Sequence, residues 1–243
     1  MNAASLRIQF VIFSIWYWLN HLPVRGYRIL RSLAVDSWKS PTLGTGQSND
    51  KPKTSGLLDV PLSILLRALI QVIEFIGLAE LLQILWVSFL PSRKLTEEET
   101  AAFREVIPVS NMPYHLIRVC EDSIICRISG GRAVATMHVI HLPEGRHSLD
   151  LMVHEMGHTA QFQLAGAVYM AEALHAQFFG EGYDYGDLEQ IRADGKSMRD
   201  LNREQQAQIL QDFYRIKHGQ QSHYGCTEES ARPFVEDFRN EMA

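Results

Sequence analysis

The chain has 243 residues, of which 46% are hydrophobic and 21% charged, and this length suffices for one sizeable core with an appendage. Residues 1–95 carry 10 Lys and Arg against 5 Asp and Glu, whereas residues 96–243 carry 13 against 23. A nucleic acid is excluded as the partner of the acidic part, because a phosphate backbone is bound by clustered basic residues. A basic, apolar front joined to an acidic remainder indicates two separate roles.

The first predicted element is an apolar, basic helix within residues 1–36. Its stretch Ile8–Leu19 is almost wholly apolar, rich in aromatic residues and followed by Arg25, Arg28 and Arg31. The stretch is short for a bilayer span, which needs about 17–25 residues, and no small-residue cleavage site follows it. The pattern therefore predicts an anchor that lies in a membrane interface.

Two further segments precede the acidic part. Residues 37–56 are rich in Gly, Pro, Ser, Asn and Asp, which predicts a flexible linker. Residues 57–91 are strongly apolar but contain Arg67, Glu74 and Glu80. Because each charge at a bilayer centre costs at least about 2.5 kcal/mol, an amphipathic helix at a membrane surface or against another subunit is favoured. A true span and a buried helix of the following domain are the alternatives.

Residues 92–243 are predicted to form one α+β domain. Thr96 is a suitable N-cap for a helix that starts with three glutamates. Runs of β-favouring residues at 114–120, 123–129 and Ala133–Leu142 then predict a small sheet. The last strand would line a cleft, where the edge of the sheet pairs with an extended substrate backbone.

The motif that carries chemistry is His154-Glu155-Met156-Gly157-His158, on a helix predicted to open after Ser148 and to stop at Gly166. His154 and His158 are one helical turn apart, so both imidazoles can reach one Zn²⁺. They fall on the face opposite the apolar stripe, which predicts that they face a cleft. Glu155 points elsewhere and can take a proton from a water that the ion activates.

A catalytic zinc site needs a third protein ligand. Glu204 is the first candidate, because it shares a helix face with Gln208, an amide that could orient it. Glu172 and His175 are the alternatives, and for each of these residues a solvated helix position is the competing interpretation.

The segments Lys94–Glu99, Leu151–Gln163 and Glu204–Gln208 together bring a family into view. The chain resembles the predicted metallopeptidase-like core domain of bacterial extracellular contractile injection systems, and it resembles still more the small bacterial proteins labelled Vgr-related. The resemblance covers about residues 93–216. It implies a zincin-like fold in which the downstream glutamate binds the metal. In related zinc peptidases an Asp stands where this chain has Gln208.

Several residues leave alternatives open. Cys120, Cys126 and Cys226 contain no Cys-x-x-Cys pair, so a cysteine zinc site is unsupported, and the first two are either free thiols or one disulfide. Tyr183 and Tyr185 are either packed loop aromatics or a phenol at the cleft that stabilises an oxyanion. Three histidines near the motif receive no role: His138, His141 and His147.

The sequence thus predicts a zinc-dependent metallopeptidase that hydrolyses peptide or protein substrates with Glu155 as general base. The alternative is a non-catalytic, metal-site-containing component of a membrane-associated, contractile-injection or secretion assembly. The apolar front predicts peripheral or anchored membrane association, with a cytoplasmic location otherwise.

Overall fold

The computed structural model describes residues 3–27, 72–108, 111–145, 148–166, 168–179 and 182–243. Within them the chain is α+β, as the sequence predicts: a small mixed sheet of four strands lies among helices. The linker predicted at 37–56 lies outside the described residues, as do residues 57–71 of the second apolar segment. The domain boundaries therefore stay predictions.

Helices make up most of the described chain, and residues 22–27 and 72–76 are also helical. Among the described residues, none of the helices is both long and apolar enough to cross a bilayer. A short 3₁₀ turn occupies Met198–Asp200. The α-helices are α1 (Ala3–Asn20), α2 (Leu78–Phe89), α3 (Glu97–Val106), α4 (Ile124–Ile128), α5 (Leu149–Ala165), α6 (Val168–Phe179), α7 (Leu188–Ala193), α8 (Arg203–Lys217) and α9 (Glu228–Met242).

The sheet consists of β1 (Arg93–Lys94), β2 (Arg118–Glu121), β3 (Val134–Thr136) and β4 (Val139–Leu142) in the order β1-β2-β4-β3. β2 and β4 pair in parallel, while both outer pairs are antiparallel. All four residues of β4 are buried. The short strand β3 is thus one edge of the sheet, beside α5.

The region predicted as strand at 123–129 is a helix instead. Ser123 caps α4, because its hydroxyl accepts a hydrogen bond from the backbone N–H of Ile125 at 3.2 Å. Cys126 is buried by this turn, while Ile124 and Ile128 are exposed. Local capping and burial of one side chain outweigh the β preference of the isoleucines.

The predicted strand Ala133–Leu142 is also wrong as a single element, since it folds into the β3–β4 hairpin. Met137 takes a positive φ of 56° in the turn, although it is not a glycine or an asparagine. The Tyr169 hydroxyl supports this turn by donating to the Ala135 carbonyl at 2.8 Å and accepting from the Met137 N–H at 3.1 Å. The turn is thus stabilised by the distant Tyr169 side chain rather than by a glycine or asparagine within the turn.

Two predicted helix starts are confirmed. Thr96 caps α3 in a capping box, in which its hydroxyl accepts from the Glu99 N–H at 3.1 Å and the Glu99 carboxylate accepts from the Thr96 N–H at 2.7 Å. Ser148 is the N-cap position of α5, and Gly166, with a φ of 71°, ends that helix.

The main core lies between the sheet, α3, α5, α8 and α9. α5 makes its most extensive packing against α8. A Cβ on Gly157 would lie 3.2 Å from Leu210 Cδ1 and 3.5 Å from Ala207 Cβ, so the missing side chain lets the two helices approach closely. This approach brings the first turn of α8 beside the histidines of α5.

All three cysteines are free thiols, and Cys120 and Cys126 are buried. Burial raises the pKa of both thiols to about 11. Of the two alternatives, the disulfide between Cys120 and Cys126 is therefore not formed.

Candidate metal site

The two histidines of the motif lie side by side on α5, with ring centroids 4.9 Å apart. Every residue from Met152 to Phe162 is buried, so the helix is covered on all sides rather than open to a cleft. The expectation of an open cleft is wrong for this structure. α8 and α6 pack against α5, and together they cover the face that carries His154 and His158.

Glu204 completes a group of three converging ligands. Its Oε2 lies 3.5 Å from His154 Nε2 and 3.4 Å from His158 Nε2. All three ligand atoms lie within 4.8 Å of one another, and the group could hold a metal ion. Glu204 is in the first turn of α8, where the helix dipole favours a carboxylate, and Asn202 fixes this turn in a capping box with Gln205.

The separations suit a small tetrahedral ion. Ligand atoms that each lie about 2.0–2.1 Å from zinc are about 3.3 Å apart. The distances from Glu204 Oε2 to the Nε2 atoms of His158 and His154, 3.4 and 3.5 Å, are close to this value. Two nitrogens and one carboxylate oxygen form a donor set that zinc accepts in catalytic sites.

The second ring nitrogen of His158 has a partner that the sequence analysis missed. His158 Nδ1 lies 2.8 Å from Gln161 Oε1, and Gln161 Nε2 donates to the Arg203 carbonyl at 2.9 Å and to Gln206 Oε1 at 3.0 Å. Because both latter groups only accept, the amide orientation is fixed and Nδ1 carries the proton. Nε2, which faces Glu204, is then the nitrogen that can bind a metal ion once it has lost its own proton. The sequence contained a signal for this contact, because Gln161 follows His158 by three residues on the same helix.

The charges of the site are strongly coupled. Burial alone would lower the pKa of His158, but the carboxylates of Glu204 and Glu155 and the bond to Gln161 raise that pKa to about 9. Burial opposes ionisation of Glu204, yet the neighbouring His158 and His154 hold its pKa well below the ordinary value. Glu204 is therefore an ionised ligand candidate.

Glu155 differs from Glu204 in its electrostatics. Burial raises the pKa of Glu155, although the two nearby histidines oppose this and the Ala135 N–H donates a hydrogen bond to it. Its Oε2 is buried without a hydrogen-bond partner, and so is Nδ1 of His154. An unsatisfied buried polar atom costs about 1–3 kcal/mol. Two of them in one site indicate a role in function rather than in stability.

The other residues considered for the site have different outcomes. The Glu172 carboxylate pairs with Arg203 Nε at 2.6 Å. The side chain of His175 lies outside the described residues. The Gln208 amide nitrogen lies 3.2 Å from Asp212 Oδ1 and 3.1 Å from His223 Nδ1, so it is not directed at the ligands as predicted.

The two tyrosines expected at a cleft have separate surroundings. The Tyr183 ring is half-buried and 5.6 Å from the His154 ring, and burial together with Glu204 and Glu155 raises its pKa to about 12. The Tyr185 hydroxyl instead donates to Asp212 Oδ2 at 2.7 Å inside the core. Of these two tyrosines, Tyr183 is the one that lies beside the candidate ligands.

The remaining histidines have other contacts. His141 is bound by Ser123 Oγ and Thr136 Oγ1, each at 2.8 Å. His138 contacts the Gln163 side chain. His147 lies outside the described residues.

The edge of the sheet reaches the site at Ala135. Its N–H bonds to Glu155 and its carbonyl accepts from Tyr169, so both backbone groups are already used. The segment Ala133–Leu142 therefore lies near Glu155, but it does not line an open cleft as predicted. An added peptide strand would have to replace these bonds.

Comparison of the chain with protein-family models, curated proteins and solved structures gives no match. The resemblance to the Vgr-related and injection-system peptidase families accordingly stays a prediction from the residues quoted for it. The geometry of His154, His158 and Glu204 supports the assignment of a metal site independently of that resemblance.

Proposed function

We propose that the protein is a zinc-dependent metallopeptidase in which His154, His158 and Glu204 hold the ion. The observation that carries the proposal is the convergence of one ring nitrogen from each histidine and one carboxylate oxygen within 4.8 Å of one another. A second carboxylate, Glu155, stands between the two histidines in the sequence and is 3% exposed. A metal site with an adjacent acid suits hydrolysis more than a purely structural role.

In the proposed mechanism, Glu155 transfers the proton and Tyr183 stabilises the developing charge. Zinc at this position would polarise a scissile carbonyl and lower the pKa of a coordinated water. Glu155 accepts the proton of the attacking water and delivers it to the leaving amine, a task suited to a carboxylate whose pKa burial has raised. Tyr183, which keeps its proton because its pKa is about 12, donates a hydrogen bond to the developing oxyanion.

The substrate in this proposal is an extended peptide that adds to the outer edge of β3. To do so it replaces the hydrogen bonds of the Ala135 N–H with Glu155 and of the Ala135 carbonyl with Tyr169. The carboxylate would then turn from the strand to the water. Binding of the substrate would thus free the Glu155 carboxylate to act as the general base.

The test is substitution of Glu155 by Gln. We expect peptide hydrolysis to fall by at least about a thousandfold, because the general base is lost, while bound zinc stays near one per chain. Hydrolysis is followed with a library of labelled peptides and zinc by elemental analysis. Glu189→Gln, which makes the same change at an exposed position, is the matched control and should keep full activity. Retained turnover in Glu155→Gln would exclude the role of the base.

A second function is favoured by one observation, the burial of the site. His154, Glu155, His158 and Glu204 are each at most 6% exposed, so a substrate can reach them only if the covering elements move. The candidate is a non-catalytic component of a membrane-associated or secretion assembly, in which the metal stabilises the fold. Full zinc occupancy without cleavage of any peptide in the library would favour this function.

A further inference from the structure

The two N-terminal helices have an unusual distribution of polarity. On α1 and the helical residues that follow it, Tyr17, His21 and Arg25 fall on one stripe. On α2, Glu80 and Gln83 do the same. These polar residues face the rest of the molecule together with a few apolar ones, such as Val87, which packs on Cys120 and Val139 of the sheet.

Specific contacts fix that orientation. The Tyr17 hydroxyl donates to Gln163 Oε1 on α5 at 2.9 Å, and the Gln83 side-chain oxygen accepts from the His138 N–H at 3.0 Å. Arg25 is 1% exposed and pairs with Glu80 at 3.3 Å between the two helices. The inner faces therefore combine these polar contacts with the apolar packing of Val11 and Val87.

The opposite faces carry large apolar side chains. At about 100° per residue, these positions lie roughly half a turn from the polar stripes. They are 45–79% exposed. We call this set the outward face: Ile8, Ile12, Ile15, Trp16 and Leu19 on α1, with Leu82, Leu85 and Phe89 on α2. Three neighbouring helical residues are exposed as well: Val72, Phe75 and Ile76.

The chemistry of the outward face favours lipid over protein as its partner. A protein interface forms about one hydrogen bond per 100–200 Å², but the only hydrogen-bonding side-chain group in this set is the indole N–H of Trp16. Hydrocarbon requires no such groups, and Trp is suited to the boundary between hydrocarbon and headgroups. An ordinary soluble helix pair does not leave so many large apolar side chains on its exposed side.

We propose that the outward face binds a lipid bilayer, with α1 and α2 lying in its interface. The charge of the sequence favours an anionic bilayer as the partner of the front, since residues 1–95 have an excess of basic residues and residues 96–243 an excess of acidic ones. An anionic headgroup layer attracts the former and repels the latter. The site helix α5, held by Tyr17 through Gln163, would then lie directly above the membrane.

The test is flotation of the full chain with vesicles of phosphatidylcholine and phosphatidylglycerol. We expect the wild type to float with the vesicles and the double variant Leu82→Glu/Leu85→Glu to lose at least about tenfold in partition, because two apolar side chains no longer leave water. Ile128→Glu is the matched control, since Ile128 is 78% exposed but lies on α4, and it should float like the wild type. Glu155→Gln should float equally, which separates this proposal from the proposed hydrolysis.

A second measurement covers the case in which the double variant does not fold. Brominated lipids should quench the fluorescence of Trp16, and Trp16→Phe should lose most of that quenching. Absence of vesicle binding by the wild type, or equal binding by the double variant, would overturn the proposal. So would a wild-type dimer that fails to bind vesicles and dissociates in the double variant, because the outward face would then bind a second copy.

Discussion

Gln161 determines which nitrogen of His158 can bind a metal. Its oxygen accepts from Nδ1 at 2.8 Å, so Nε2 is left as the ligand atom. We expect Gln161→Leu to weaken zinc binding by about 10–100-fold, the usual effect of removing a partner of a metal-ligating histidine. Competition with a fluorescent chelator measures the dissociation constant.

Gln208 is the control for that prediction. It is an equally buried amide on the neighbouring helix, but its nitrogen contacts Asp212 and His223. Gln208→Ala should therefore leave the zinc dissociation constant within about twofold of the wild type. Equal losses in both variants would show that the effect comes from general loosening of the core.

His141 predicts a pH dependence of stability. Burial lowers the pKa of His141 to about 4 in the folded chain, whereas a histidine in an unfolded chain has a pKa of about 6.5. Between these values only the unfolded chain binds the proton, so the free energy of unfolding falls as the pH is lowered from about 6.5 to about 4. The shift corresponds to at most about 3 kcal/mol.

Urea unfolding across this pH range measures the effect. His141→Asn retains a polar partner for Ser123 and Thr136 but cannot take up the proton. Its free energy of unfolding should decrease less steeply towards low pH than that of the wild type. Identical slopes would exclude His141 as the source.

At the residue scale, spacing identified the site but not its surroundings. His154, Glu155 and His158 follow from one helical turn, and Glu204 was the first candidate for the third ligand. Gln161 was missed, although its spacing from His158 was visible. The hydrogen bond from Ala135 to Glu155 depends on how the sheet packs on α5, which no local pattern encodes.

Among the elements, the β3–β4 hairpin depends most on a distant side chain. The Tyr169 hydroxyl satisfies both the Ala135 carbonyl and the Met137 N–H. Tyr169→Phe should lower the free energy of unfolding by about 1–3 kcal/mol, because a buried N–H loses its partner. Tyr27→Phe, at an exposed position, should change it by less than about 0.5 kcal/mol. Urea unfolding of both variants measures the difference, and equal stabilities would contradict the assigned role.

Helix ends were easier to predict than strands. α3 and α5 start where capping residues indicate, and α5 stops at the predicted glycine, since those signals act within a few residues. The residues 123–129 and Ala133–Leu142 were misassigned because β preference reflects burial and partners, which come from the whole fold. Ser123 was a local signal for α4 that β preference concealed.

At the scale of the whole molecule, charge is unevenly distributed along the sequence. The acidic part, residues 96–243, contains three of the four strands and the candidate metal site. The front contributes α1 and α2, which contact it through polar residues such as Tyr17 and Gln83. Composition could predict an apolar attachment but not which apolar residues stay exposed, because a helical pattern does not state which face meets the neighbouring domain.

Zinc should stabilise the whole fold, because the three proposed ligands come from two helices that pack against each other, α5 and α8. A ligand that binds only the folded chain adds about 2.7 kcal/mol at a free concentration about 100 times its dissociation constant. We expect the midpoint of thermal unfolding to rise by about 5 °C or more with zinc and to return to its original value with a chelator. Calorimetry measures both.

The matched variants separate binding from chemistry. Glu204→Gln should lose most of the zinc-dependent stabilisation, since the ionised carboxylate oxygen between the two imidazoles becomes a neutral amide. Glu155→Gln should keep that stabilisation, because Glu155 is proposed to act on water rather than on the ion. A loss of stabilisation in Glu155→Gln, with none in Glu204→Gln, would reverse the roles of the two glutamates and with them the proposed mechanism.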